Sequence, residues 1–318
     1  MKVIKLGGTS LQTPTLVNNA IELIRSYNDK VIVVVSAIGR KGFPYATDTL
    51  IDSLKGCYLS SKEKDRLLSL GETYASIFLS NELNKRKINS YSLSYREIGI
   101  MCDRNYTQGN IISINKEKIR YYLNKYQVLV IPGFIGKSNE YEVITLGRGT
   151  SDLSALLIGD IVEEKEVTLF KDIDGIYPTI QYPLSKIECY DYLSYDEALS
   201  LTKINYLVVN KKALLFAKDN NMKIIVRNYK LNDKQTYISV KSSNKEIIGF
   251  NLINNTYYIA CKNPIKLKSE IDDLFRRRHI FIKNYECFDD VLEFSITSSQ
   301  TLLIRQLILN TYFKEFLK

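Results

Sequence analysis

The chain has 318 residues, of which 45% are hydrophobic, and this size and composition predict a soluble globular protein with a large core and room for two domains. Its formal charge of +9 is spread along the chain without a recognised nucleic-acid motif, so we expect anionic metabolites as partners and no nucleic acid. The five cysteines are widely separated, which argues against a disulfide framework and favours the cytoplasm. A single histidine argues against a histidine-based metal site or catalytic triad. No apolar run approaches the roughly 20 residues that span a membrane.

The first residues predict a strand, a glycine turn, a helix and a second strand. Residues 2–6 read as an apolar strand, and residues 15–27 place their apolar side chains on one helical face. VIVVVSA (31–37) is a β-branched run typical of a buried strand. This order predicts a parallel sheet with right-handed crossovers.

The same alternation continues to about residue 230. Further helices are predicted at 62–86, 115–125, 151–162, 194–202 and 209–220, and further strands at 88–93, 128–134, 167–175 and 223–228, with a turn-rich hairpin after 134. The pattern predicts an α/β sandwich whose loops gather at the carboxyl ends of its strands, where ligands of open α/β sheets bind.

A polar stretch at 231–235, followed by another at 242–245, predicts a domain boundary. The residues after it favour strands at 247–251, 256–261, 279–285 and 291–297 and helices at 266–277 and 300–316. Two strands, a helix, two strands and a helix make a small α+β unit with a one-sided sheet. We therefore expect domains at 1–243 and 244–318.

Lys5, Gly7 and Gly8 lie in the segment KLGGTS, directly after the first strand. Two residues without a Cβ let backbone N–H groups approach an anion, and the lysine adds a positive charge. Thr9 or Ser10 would supply a hydroxyl or cap the following helix. The segment predicts a site for a nucleotide phosphate, with an ordinary structural turn as the alternative.

A second anion site is predicted by GRGTSDLSA (147–155) at the entry to a helix. Arg148 can hold a carboxylate in two parallel hydrogen bonds, and Ser151 or Asp152 can cap the helix. A capped helix after a tight turn is the alternative. Beside KLGGTS, however, the segment predicts the pair of anion sites that phosphoryl transfer to an acid requires.

Three carboxylates complete the set of candidate residues. Asp172 and Asp174 end an apolar strand just before a glycine, where they would bind ribose hydroxyls or magnesium or form a solvated turn. Glu72, in LLSLGE (67–72), would receive an amino group or be an exposed helix residue. The residues alone leave these alternatives open.

Taken in order, these segments resemble the aspartate kinases of the amino acid kinase family. The matching segments are KLGGTS (5–10), VVVSAIGRKG (33–42) with Thr47 and Asp48, LLSLGE (67–72), PGFIG (132–136), LGRGTSD (146–152), DIDGIY (172–177) and LSYDEA (193–198). The resemblance covers about residues 1–230. It implies a three-layer amino acid kinase sandwich with a mainly parallel central sheet.

The activity implied by the resemblance is transfer of the ATP γ-phosphoryl group to the side-chain carboxylate of L-aspartate. The products would be 4-phospho-L-aspartate and ADP, and magnesium would bridge the phosphates. This is the first step of the aspartate-family pathway to lysine, threonine and methionine. Such chemistry depends on alignment and charge neutralisation rather than on a protein nucleophile.

On the nucleotide side, the resemblance implies contacts for two groups of residues. The phosphates would be held by Lys5, Gly7, Gly8 and Thr9. The rest of the nucleotide would meet Asp172, Asp174 and the segment around Tyr177. Asp152 would orient Lys5 for catalysis.

On the acceptor side, the resemblance implies five residues. Ser36 and Thr47 would border the substrate, and Glu72 would take the α-amino group. Arg148, with Ser151, would take the α-carboxylate. Because the α-amino and the α-carboxylate group would both be held, the pattern favours aspartate over other acids.

Three segments depart from the family pattern: SYREIGIMC (94–102), PTIQYPL (178–184) and NYLVVNK (205–211). In the last of them Leu207 stands where the family has a phosphate-side lysine. Lys171, which replaces a threonine, and Lys211 or Lys212 are the cations that we expect to compensate. The departures leave two rivals open: a weak or inactive amino-acid-binding regulator, and a kinase of another amino acid.

The carboxy-terminal unit resembles a single ACT domain, a regulatory module that usually occurs as a pair in aspartate kinases. The resemblance implies a homodimer and feedback by an amino acid, lysine or threonine. An oligomerisation unit without an effector pocket is the alternative.

Overall fold

The computed structural model describes residues 1–230, 233–296 and 300–318. Parts of two sequence predictions, the boundary stretch 231–235 and the strand 291–297, lie outside the described residues. The chain forms two compact units, residues 1–174 with 216–234 and residues 175–215 with 235–318. The predicted boundary between residues 243 and 244 does not coincide with this division. A catalytic domain at 1–243 and a regulatory domain at 244–318 stay a prediction.

The strands and helices follow the predicted alternation closely. The strands are β1 (Lys2–Leu6), β2 (Val31–Val35), β3 (Ser90–Ser92), β4 (Ile100–Cys102), β5 (Ile111–Ile114), β6 (Val128–Pro132), β7 (Ile135–Lys137), β8 (Val143–Thr145), β9 (Glu166–Lys171), β10 (Tyr192–Ser194), β11 (Lys223–Asn228), β12 (Gln235–Ser239), β13 (Ile247–Ile253), β14 (Thr256–Cys261), β15 (Ile282–Phe288) and β16 (Val291–Ile296). The helices are α1 (Pro14–Ser26), α2 (Thr47–Ser53), α3 (Ser61–Lys85), α4 (Lys116–Lys125), α5 (Ser151–Ile161), α6 (Tyr195–Lys203), α7 (Lys211–Asp219), α8 (Pro264–Arg276) and α9 (Thr301–Tyr312).

The first unit is built on a parallel sheet with the strand order β11-β9-β1-β2-β6-β3. All five residues of β2 are buried, as its β-branched run predicts. Alternate strand residues pack against α1 and α3 on one face, while α5 packs on β1, β2 and β9. The predicted three-layer α/β architecture is confirmed.

A second, small sheet in this unit was not predicted apart from one hairpin. Its strand order is β5-β4-β7-β8, with β4 and β7 parallel and the other pairs antiparallel. Its strands are three or four residues long, too short for a hydrophobic period to be recognised in the sequence. Helix α2 was missed for the same reason, since it spans seven residues and buries none of them.

The second unit contains the predicted order of two strands, a helix, two strands and a helix. Strands β13-β14-β16-β15 form an antiparallel sheet, and α8 packs on β15 and β16. The same unit holds the parallel pair β10 and β12. The α+β architecture is therefore confirmed, while the ACT-like identity of residues 244–318 stays a prediction.

Among the helices in the described part of the chain, none combines the length and the apolar sequence that crossing a bilayer demands.

Candidate active site

A cavity of about 340 Å³ lies in the first unit, at the carboxyl ends of β1, β2 and β9. Ten of the predicted site residues line it: Gly7, Gly8, Thr9, Ser36, Thr47, Glu72, Arg148, Ser151, Lys171 and Asp172. Segments far apart in sequence are thus brought to one cavity, as expected for strand-end loops of an α/β sheet.

Gly7 and Gly8 differ in the space that surrounds them. A Cβ on Gly8 would lie 2.2 Å from the carbonyl oxygen of Ala37, so this position excludes every side chain. The Gly39 N–H also donates to the Gly8 carbonyl at 2.9 Å. A Cβ on Gly7 would meet nothing closer than 3.4 Å. Gly8 is therefore required by close packing of two loops, whereas Gly7 has room for a Cβ. Both glycines line the cavity.

The predicted caps of two helices are wrong. Helix α1 is capped by Thr13, whose hydroxyl accepts from the Leu16 N–H, because a short 3₁₀ turn intervenes after Gly7. Thr9 and Ser10 lie in that turn. Helix α5 has Thr150 at its N-cap position, with Ser151 and Asp152 in the first turn. Neither side chain serves as the cap: Ser151 lines the cavity, and Asp152 is buried against Lys5 and Lys171.

Lys5, Lys171 and Asp152 form a buried charge cluster beneath the glycine turn. The Lys171 Nζ lies 2.7 and 3.0 Å from the two Asp152 carboxylate oxygens, and the Lys5 Nζ lies 3.4 Å from Oδ1. Burial, followed by the charge of Lys171, lowers the pKa of Lys5 to about 8, whereas Asp152 and Glu72 act in the opposite direction. The predicted pairing of Asp152 with Lys5 is present, and it is shared with Lys171.

Glu72 is buried, which overturns the alternative of an exposed helix residue. Its Oε1 accepts the Ala37 N–H at 3.0 Å, while its Oε2 has no hydrogen-bond partner. Burial raises the pKa of this carboxyl to about 8, opposed mainly by the Ala37 N–H. A buried acceptor without a partner costs free energy, so the site is chemically suited to a donor such as an ammonium group.

Two arginines at the cavity form ion pairs with aspartates, and one member of each pair, Arg40 and Asp48, was not singled out from the sequence as a site residue. Arg148 Nη2 donates to Asp48 at 2.5 Å, and Arg40 Nη2 donates to Asp172 at 2.6 Å. Arg40 and Asp48 both lie within the second matched segment, which was the available signal. Both pairs are well exposed and so are open to exchange with a ligand carboxylate or phosphate.

Two predicted nucleotide residues are placed away from the cavity lining. The Asp174 Oδ1 accepts from the Asn228 side-chain amide at 2.8 Å. Tyr177 belongs to the second unit, where its ring is 2% exposed and its N–H donates to the Tyr206 hydroxyl. The expected nucleotide contact of Tyr177 therefore has no exposed side chain to make it.

Of the departing segments, 94–102 has a local structural role through Glu97. Glu97, in 94–102, accepts hydrogen bonds from the Ser94 N–H and hydroxyl and from the Tyr91 and Tyr122 hydroxyls. Leu207 is exposed in the second unit, and Lys211 begins α7 there. Compensation by Lys211 or Lys212 stays a prediction.

A family model for the amino acid kinase family matches residues 1–228. Aspartokinase 1 of Bacillus subtilis (strain 168) is 32% identical over 309 residues, covering 94% of this chain and 76% of that protein. The chain belongs to the amino acid kinase family, on its aspartokinase branch. The Helicobacter pylori aspartokinase is also 32% identical, over 231 residues. The match covers 71% of this chain and only 56% of the H. pylori protein.

Solved structures agree on the fold. Escherichia coli aspartokinase III in complex with aspartate and ADP matches with a TM-score of 0.67 at 19% identity, covering 98% of this chain and 83% of that one. The same E. coli enzyme in complex with lysine and aspartate gives a TM-score of 0.66 at 19% identity, covering 96% of this chain and 82% of that one. The aspartokinase-family fold therefore extends through both compact units of this chain.

Proposed function

We infer that this chain is an aspartate kinase, which converts ATP and L-aspartate into ADP and 4-phospho-L-aspartate. The observation that carries this inference is the single cavity that joins a phosphate-type glycine turn to a carboxylate-binding arginine and a buried carboxyl without a partner on Oε2. The family relatives and the aspartate and ADP bound by E. coli aspartokinase III support the same assignment.

At the acceptor side, Glu72 and Arg148 would fix the two ends of the amino acid backbone. The α-ammonium would donate to Glu72 Oε2 and so satisfy that buried acceptor. The α-carboxylate would take the Arg148 guanidinium from Asp48, with Ser151 beside it. Ser36 and Thr47 also line the cavity and would border the side chain of the substrate. Recognition of both α-groups would select an α-amino acid.

At the donor side, Gly7, Gly8 and Thr9 would cradle the triphosphate, and Lys5 would neutralise charge as it develops. A side-chain carboxylate oxygen of aspartate attacks the γ-phosphorus in line. The new oxygen–phosphorus bond forms as the bond to the β,γ-bridging oxygen breaks, and ADP leaves with that electron pair. Proton transfer is not needed because the attacking carboxylate is already ionised.

Magnesium would enter with the nucleotide. The described residues contain no group of three or more His, Cys, Asp or Glu side chains that could hold a metal, whereas Mg²⁺ usually binds substrate phosphates and waters with one or two carboxylates. Asp172, which lines the cavity, would assist. The ion would supply charge neutralisation on the phosphates.

The finer expectations belong to the same proposal. A homodimer in the cytoplasm, with feedback by lysine or threonine through residues 244–318, would suit an enzyme at the head of a biosynthetic pathway. The lysine complex of E. coli aspartokinase III supports lysine as the first effector to test.

The test is a coupled assay of ADP release over a panel of amino acids, with and without magnesium. We expect release that depends on L-aspartate and is lost in Lys5→Ala and Arg148→Ala. Lys165→Ala is the matched control, because Lys165 pairs with Asp160 on an exposed surface of the same unit. A wild-type chain that folds and binds ATP but turns over no amino acid would contradict the assignment and favour a regulatory relative.

A further inference from the structure

In the charge cluster beneath the glycine turn, two lysines share one carboxylate, that of Asp152. Lys5 lies within 3.4 Å of Asp152, which already gives that carboxylate a buried partner. Lys171 approaches the same carboxylate more closely, at 2.7 Å. The three side chains are mostly buried, with Lys171 the most exposed at 18%.

The two lysines reach this point from neighbouring parallel strands. Lys5 lies in β1 opposite Leu169 of β9, and Lys171 ends β9 two residues later. The Lys5 Nζ lies 3.9 Å from the position that a Cβ would occupy on Gly7, while Lys171 lines the cavity with Gly7, Gly8 and Thr9. Both ammonium groups are therefore next to the surface where an anion would rest.

Asp152 and Glu72 counter the lowering of the Lys5 pKa, but burial and the charge of Lys171 outweigh them. The two ammonium groups repel each other, since Lys171 contributes to the lowered pKa of Lys5. Two like charges held together in a mostly buried wall would be stabilised further by a ligand of opposite charge. A polyphosphate at the glycine turn would supply that charge.

We propose that Lys171 is a second phosphate-binding residue of this kinase, which acts together with Lys5 on the phosphate chain of ATP while Asp152 holds both side chains in place. This inference rests on the proposed function for the identity of the nucleotide. It extends that function by giving Lys171 a role in binding the phosphates. Lys171 contacts the donor substrate and not the amino acid.

The test measures nucleotide binding directly, by titration calorimetry without aspartate. Lys171→Met removes the charge and keeps the length of the side chain, and Lys171→Arg keeps the charge. We expect Lys171→Met to weaken ATP and ADP binding by about 10- to 100-fold, the usual effect of losing a charge-assisted hydrogen bond. Adenosine binding should change less than about twofold, and Lys171→Arg should retain most of the ATP affinity.

Two further variants keep the result interpretable. Lys165→Met is the control for removal of a lysine from an exposed ion pair of the same unit. Lys171→Gln keeps a hydrogen-bond donor for Asp152, so it tests the charge alone if the methionine variant fails to fold. ATP affinity within about twofold of wild type in either folded Lys171 variant, or equal losses for ATP and adenosine, would overturn the proposal.

Steady-state kinetics separate this inference from the proposed function. In Lys171→Gln we expect the KM for ATP to rise while the KM for aspartate stays within about twofold of wild type. A wild-type chain that shows Lys171-dependent ATP binding but no turnover of aspartate would contradict the proposed acceptor and leave the role of Lys171 standing. Normal aspartate turnover with unchanged ATP binding in the variants would support the proposed acceptor and contradict the role of Lys171.

Discussion

At the scale of single residues, the cavity wall holds two side chains whose pKa values are displaced toward each other. Burial raises the pKa of Glu72 to about 8 and lowers that of Lys5 to about 8. Neither displacement helps the fold, because each reflects the cost of charge in a buried position. Such costs are typical of positions whose partner is a substrate.

These pKa values predict the pH dependence of the reaction. Glu72 must be ionised to pair with the ammonium of aspartate, so kcat/KM for aspartate should rise as pH increases through about 8. Lys5 must be protonated to hold phosphate, so kcat/KM for ATP should fall as pH increases through about 8. Lys5 is faced by Asp152, Lys171 and Glu72, and all three contribute to its titration.

The measurement is a pH profile of each specificity constant between pH 6 and pH 10, with matched variants. Glu72→Gln should abolish the rising limb for aspartate together with most of the affinity. Lys171→Gln should move the falling limb for ATP to higher pH, because a repelling charge is removed. A profile for ATP that is flat across this range would show that Lys5 does not titrate there.

The two glycines of the turn give a second prediction at this scale. Gly8→Ala places a Cβ 2.2 Å from a backbone oxygen, so we expect a loss of at least about 2 kcal/mol in the free energy of unfolding. Gly7→Ala places its Cβ at ordinary contact distance and should leave the stability within about 1 kcal/mol of wild type while weakening ATP binding. Chemical denaturation and calorimetry of the two variants distinguish these effects. Equal destabilisation would contradict the different roles.

At the scale of elements, Asp65 joins α3 to the small sheet. This buried carboxylate accepts from the Thr107 N–H, the Thr145 N–H and the Thr145 hydroxyl. Thr145 ends β8, three residues before Arg148. The position of the acceptor-side loop therefore depends on a contact between residues 80 positions apart in the chain.

Asp65→Ala is expected to destabilise the protein by about 3 kcal/mol or more, because it leaves several buried donors without an acceptor. It should also raise the KM for aspartate more than the KM for ATP, since the loop carrying Arg148 loses its anchor. Glu63→Gln, two residues before Asp65 in the same helix and in an exposed pair with Arg66, is the control and should change stability by less than about 0.5 kcal/mol. An equal rise of both KM values would contradict a local effect on the acceptor side.

At the scale of the whole molecule, residues 175–215 share a core with the carboxy-terminal residues. The Tyr190 hydroxyl donates to the Ile248 carbonyl at 2.6 Å, and the Phe250 N–H donates to the Pro178 carbonyl at 2.9 Å. Both residues 175–215 and residues 235–318 belong to the second compact unit. A chain ending at residue 243 would lack Ile248 and Phe250, so it would lose both hydrogen bonds.

We therefore expect such a truncated chain to lose hydrogen-exchange protection across residues 175–215 while the first unit keeps its own. Exchange measured by mass spectrometry on the full and truncated chains is the test. Native protection of 175–215 in the shorter chain would support the predicted boundary at 243 as a folding boundary. Feedback by lysine or threonine is accordingly best measured on the full chain.

The sequence by itself determined the long elements and indicated the candidate residues of the site. Apolar periodicity gave β2, α1 and α3 to within a few residues, and the glycine and arginine segments predicted two anion sites. Both signals are local, because a helical face or a turn is encoded by residues close together in the chain. Very short strands, such as β4 and β7, carry too few residues for this kind of signal.

Only the tertiary structure decided which side chains meet. Lys171 shares Asp152 with Lys5, Glu72 is buried with its Oε2 unpartnered, and Gly8 packs against Ala37. Each of these facts depends on contacts between separate elements, and burial and charge–charge distances arise only when those elements pack. The residue types that we propose for the chemistry can therefore be recognised in the sequence, whereas their protonation and partners are properties of the fold.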